Sequence, residues 1–146
     1  MRSGPFSASY AEARGKFLEA AGAAGAALSA YEHPERGPDD GPLTTDCAWI
    51  GPADARHVLV MVSGTHGVEG YCGSGAQVDW LRRGEAAQLR PGQAALLVHA
   101  INPYGFAWRR RVTHENVDLN RNFVDFDQPL PGNPEYAKLA AAVRPA

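Results

Sequence analysis

No segment of this sequence approaches the run of about 20 apolar residues that a bilayer-crossing helix needs. The N-terminus, MRSGPFSASYAEARGK, lacks the apolar centre of a secretory signal, and a cytoplasmic location is the expectation. Cysteine is scarce. Only Cys47 and Cys72 occur, too few for a disulfide framework, and in a reducing compartment both are expected as free thiols. Charge of neither sign is in large excess: 14 Lys and Arg stand against 16 Asp and Glu. The formal net charge of -2 gives no general pull toward nucleic acid or an anionic membrane, and neither is expected as a partner. No internal repeat is visible, and the surroundings of Cys72 and Ser74 lack the Gly-x-Ser-x-Gly pattern of a serine nucleophile.

What is present suits one compact domain of 146 residues with ordinary apolar content. Ser9-x-x-Glu12 has the form of a capping box, and Tyr10, Ala13, Phe17 and Ala20 follow at helical spacing. ALSAYEH before Pro34 reads as extended, PERGPDDGP as a surface loop, and LTTDCAWIG as a strand closed by Gly51-Pro52. HVLVMV, from His57, is apolar throughout, the pattern of a strand buried on both faces of a parallel sheet. A helix is expected over GAQVDWLRRGEAAQL, with Ala76, Trp80 and Leu81 inward and Pro91-Gly92 as its stop, and then a second apolar strand, AALLVHAI. Strand, helix and strand make a βαβ unit with parallel strands, so the fold class is α/β. Asn133 and Pro134 open a last helix through EYAKLAAAVR.

Parallel strands end on the same edge of a sheet, where ligands of open α/β folds bind. Two loops leave that edge. The first, SGTHGVEG, carries His66 and Glu69 three residues apart among Gly64, Gly67 and Gly70. Such a pair is a polar surface turn or a metal site, and its place directly after an apolar strand favours the metal, with zinc suited to both ligand types. The second loop, INPYGFAWRRRVTHENVDLNRNF, is dense in Arg and Asn. Its arginines either pair with Glu115, Asp118 and Asp125 or, as a group, meet a carboxylate ligand.

SGTHGVEG, then WRRR, then NVDLNRNF, in this order over roughly Val58 to Phe126, resembles the zinc carboxypeptidase superfamily, including its aspartoacylase and succinylglutamate desuccinylase branch. The resemblance implies a three-layer α/β/α fold with a mixed, partly parallel sheet, and zinc held by His66 and Glu69. It makes Arg109 the group that steadies the reacting carbonyl oxygen, with Arg110 or Arg111 as alternatives, and Asn120 and Arg121 the pair that holds a substrate carboxylate. The implied reaction is hydrolysis of an amide next to a free carboxylate, in a small peptide or an N-acyl amino acid. The family also requires a third zinc ligand, a downstream histidine, and a glutamate base beyond it. Up to Ala146 only His114 and Glu115 can stand in for them, so the expectation is the N-terminal portion of a longer enzyme, inactive alone. Its uncovered sheet edge is expected to associate with another copy or a partner. The other reading is a complete, non-catalytic protein whose arginine loop binds carboxylates or forms an assembly.

Overall fold

A computed structural model describes residues 4–143. Helix α1 (Tyr10–Ala23) starts where expected: the Ser9 hydroxyl accepts the Glu12 amide at 3.2 Å, and the Glu12 carboxylate reaches back to the Ala8 amide at 2.8 Å. A cap of this kind is worth about 1 kcal/mol. Strands β1 (Ala27–Arg36) and β2 (Pro42–Ile50) form an antiparallel hairpin around the 37–41 turn. Strand β3 (His57–Val62) leads into helix α2 (Gly67–Arg82), a 3-10 turn (Glu85–Gln88) and strand β4 (Gln93–His99). Helix α3 (Pro103–Trp108), a 3-10 turn (Leu119–Arg121) and helix α4 (Pro134–Val143) complete the described residues. Asn133 caps α4 by accepting the Tyr136 amide at 2.9 Å; Arg144, expected within that helix, lies outside the described residues.

The sheet is mixed, in the order β1-β2-β4-β3, with β3 and β4 parallel and the other pairs antiparallel. This is the α/β class and the βαβ unit read from the sequence. Helices α1 and α2 share one face, where Phe17, Ala21 and Val78 close over Ala48, Ala95 and Leu97. Arg14 grips the buried Asp46 carboxylate through Nε at 2.7 Å and a second nitrogen at 3.1 Å, which locks α1 to β2. Among the described residues no helix is long and apolar enough to cross a membrane, and both cysteines are free.

Two sequence expectations need correction. HVLVMV is not buried on both faces: β3 lies at the sheet edge, with Val58, Leu59, Val60 and Val62 exposed. An apolar composition shows that a strand suits burial and is silent on whether it has a neighbour on each side. The second helix begins at Gly67 and ends at Arg82, not over residues 75–89, and Ala76, expected to face inward, is exposed. The glycine-rich segment is its first turn. His66 is therefore the N-cap, and Glu69 sits in the first turn, where the helix dipole favours an acid.

Beyond the last ladder residues the two parallel strands stay tied together. The Ser63 amide reaches Val98 O at 3.0 Å, Ile101 N reaches Ser63 O at 3.0 Å, and Asn102 N reaches Gly64 O at 3.1 Å. The Gln77 side chain crosses beneath them, donating to Met61 O at 2.9 Å and Val98 O at 3.1 Å while its oxygen accepts the Ser63 hydroxyl at 2.9 Å. The loops that follow β3 and β4 thus leave the sheet side by side.

Candidate functional site

Gly64 takes φ +73°, a left-handed conformation open to glycine at little cost, and turns the chain from β3 into α2. Asn102 then stitches this loop to the next one. Its side chain, 2% exposed, accepts the Gly105 amide at 2.9 Å and donates to Thr65 O at 3.3 Å, one residue before His66. The Gly67 amide donates to Arg110 O at 2.9 Å, so the first residue of α2 touches the arginine run directly.

His66, at the floor of this junction, has a carboxylate at each ring nitrogen. Nε2 lies 2.9 Å from Asp118 Oδ1, and Nδ1 lies 3.3 Å from Glu69 Oε2. Asp118 is drawn in from the second loop by a tight turn, in which Thr113 N binds Val117 O at 2.9 Å and Asn116 N binds Thr113 O at 3.0 Å. The turn sets Arg111 against Asp118, Nε to Oδ2 at 2.8 Å, and the Asn120 amide adds a donor at 2.9 Å. These groups hold the Asp118 carboxyl down to about 2, the His66 ring foremost, then the Asn120 amide and Arg111.

An ionised Asp118 accepts hydrogen bonds only, so His66 donates from Nε2; Nδ1 then donates to Glu69 when the ring is charged and turns a lone pair to it when the ring is neutral. Two acceptors at 3.3 Å call for a proton or a cation between them. Two ligands of one tetrahedral zinc stand about 3.4 Å apart, given bond lengths near 2.0–2.2 Å. His66 Nδ1 and Glu69 are therefore spaced as two of the three protein ligands that a catalytic zinc needs, with Asp118 placed as an outer carboxylate on the imidazole. Among the described residues, no group of three His, Cys, Asp or Glu side chains is placed to hold a metal.

Residues 6–146 match the family described as a protein of unknown function, DUF2817. The chain belongs to this family. No curated protein matches it significantly. Among solved structures, this DUF2817 chain is similar to a glutaminyl cyclase from Porphyromonas gingivalis, at 14% identity and TM-score 0.44, over 70% of this chain and 50% of that one. It is similar to a Zn-dependent exopeptidase from Parabacteroides distasonis, at 15% identity and TM-score 0.46, over 68% and 41%. A glutaminyl cyclase from Tannerella forsythia matches at 14% identity and TM-score 0.48, over 90% and 52%. The DUF2817 chain thus spans about half the length of these structures.

The expected site residues are only partly brought together. His66 and Glu69 adjoin, and Asn120 and Arg121 follow Asp118 on the 3-10 turn, both exposed. Arg121 donates to Asn120 O at 2.9 Å and has no carboxylate partner among the described residues. Arg109 is placed elsewhere: its guanidinium donates to Ala8 O at 3.2 Å, lies 6.0 Å from the Tyr71 ring centre, and has no hydrogen bond to His66, Glu69 or Asp118. Arg111 is the arginine beside the site. His114 packs on His33 and Tyr104, Glu115 is exposed, and neither joins His66. Asp118 and Asn102 were not among the expected site residues. The first was visible as the acid two residues before Asn120, and the second as the Asn-Pro that ends the β4 run.

Proposed function

We propose that this chain carries part of the site of a zinc-dependent hydrolase, one that cleaves an amide bond next to a free carboxylate. Carboxypeptidase and N-acyl amino acid deacylase chemistry both fit. The observation that carries the reading is the His66 ring, fixed through Nε2 by Asp118 while Nδ1 and Glu69 face each other at 3.3 Å. His66 and Glu69 would hold the metal, which when bound polarises a carbonyl and acidifies water. Arg111 spends Nε on Asp118 and, being half exposed, has its remaining donors for charge that develops on a carbonyl oxygen. This is the part the family resemblance implied for Arg109, with Arg110 or Arg111 as alternatives. Arg121 and Asn120, next along the loop, would take the substrate carboxylate and set the amide at the reacting position.

The metal half of the proposal is tested by titrating zinc into the protein while following the histidine ring nitrogens by NMR. The expected result is a shift at Nδ1 of His66, with Asp118→Asn weakening the binding about 10- to 100-fold. Zinc that leaves His66 unperturbed, with acetate still bound through Arg121, would replace the hydrolase reading with the carboxylate-binding one.

The catalytic half is tested in a protein that carries the completed site, on N-acyl amino acids and their carboxamides. Arg121→Ala is expected to raise KM about tenfold or more for the free acids and to spare the carboxamides. Arg111→Ala is expected to lower kcat about a hundredfold on both. Identical kinetic defects in the two variants would refute the division of roles.

A further inference from the structure

A cavity of about 450 Å³ lies where α1, the 37–41 turn, α2 and the end of α3 meet. Its walls are mainly apolar. Tyr10, Tyr71 and Trp108 supply aromatic surface, with Ser9, Asp39 and Arg109 at polar positions. The rings are held before any ligand arrives. Tyr10 and Tyr71 both pack edge-on against the buried Phe106, with centroids 5.7 and 4.6 Å away. Trp108 donates its indole N–H to Arg36 O at 3.0 Å.

Arg109 gives this cavity its chemical character. It closes α3 in a left-handed conformation, φ +54°, which turns its side chain over Tyr71 and away from the course of Arg110 and Arg111. One of its five donors goes to Ala8 O, and no carboxylate among the described residues comes within ion-pairing distance. An unpaired guanidinium beside preformed aromatic walls matches an anion with a flat apolar body. The planar fork suits a carboxylate best. Asp39 on the same lining works against a doubly charged ligand such as a phosphate monoester.

We propose that this cavity is a binding site for small aromatic carboxylates, with the carboxylate on Arg109 and the ring against Tyr71 and Trp108. The site uses neither His66 nor a metal, so it goes beyond the hydrolase reading and stands or falls separately from it.

The test is a titration of the metal-free protein with phenylacetate, read at the indole N–H resonance of Trp108. The expected result is a saturable shift, with phenylacetamide and acetate each binding at least about tenfold more weakly, since one lacks the charge and the other the ring. Arg109→Gln, a change at an exposed position, is expected to remove the preference for phenylacetate over phenylacetamide, while Arg121→Gln leaves it in place. Equal binding of acid and amide, a preference that survives Arg109→Gln, or a Trp108 signal unmoved by millimolar phenylacetate would each overturn the proposal.

Discussion

Gly67→Ala is expected to cost about 3 to 4 kcal/mol and to lower the melting temperature by about 10 °C, although it adds a single methyl group in a helix. A Cβ at this position would run into the carbonyl oxygens of Gly105 and Arg110 and the amide of Arg110. Those atoms cannot step aside cheaply. The Arg110 amide is bonded to Gly105 O at 2.8 Å, the Gly105 amide to the buried Asn102 side chain at 2.9 Å, and Gly67 itself to Arg110 O at 2.9 Å. Making room means breaking this chain of bonds or tilting the first turn of α2. Both outcomes separate His66 from Asp118, so the zinc binding proposed for His66 should weaken together with stability. Gly15→Ala in α1 is the control, because nothing lies within 4 Å of a Cβ there, and alanine should gain about 0.5 to 1 kcal/mol over glycine. Equal behaviour of the two variants in thermal melts would mean that the crossing of the two loops is not rigid.

The same glycine shows why part of this fold was legible in the sequence and part was not. Residues 58–62 and 94–98 announced two strands through apolar content, and the helix between them made the strands parallel; the register, Val58 with Ala94 through Val62 with Val98, is seen only in the structure. Glycine at 64, 67 and 70 pointed equally well to a loop, because intrinsic helix propensity ranks glycine near the bottom. Glycine is needed in this helical turn because backbone from residues 105–110 leaves no room for a Cβ at Gly67 and the Phe106 ring crowds Gly70, contacts across some 40 residues. The arginine run failed differently. Three identical side chains carry no pattern, and the left-handed backbone at Arg109 that sends them to different places is a property of how α3 ends. Asp118 stood in plain view two residues before Asn120, yet its partner His66 is 52 positions away and becomes visible only when the 113–117 turn is closed.

Acidification from pH 7 to pH 4 is expected to remove about 3 kcal/mol of stability through one residue far from any catalytic duty, His99. This imidazole ends β4 fully buried, stacked on Phe17 with ring centres 4.6 Å apart. Ser74 Oγ meets Nε2 at 2.9 Å, and Nδ1 has no partner. Burial, aided by the nearby Arg14 charge, pushes its pKa down from 6.5 to about 4. The sign follows from proton counting. Below pH 6.5 the unfolded chain takes up a proton that the native state refuses, so stability is complete above the unfolded value and is lost as pH falls, until the native histidine also protonates near 4. His33, likewise lowered by burial and by its neighbour His114, adds loss in the same direction. Asp118 acts in a lower window, between 3.8 and about 2, so the two effects separate on the pH axis. Urea unfolding at pH 7, 5.5 and 4.5 measures the slope, and His99→Gln, which cannot titrate, should flatten most of it. A wild-type slope that survives that substitution would assign the acid sensitivity to carboxylates instead, and would mean that the Phe17–His99 stack tolerates a charged ring.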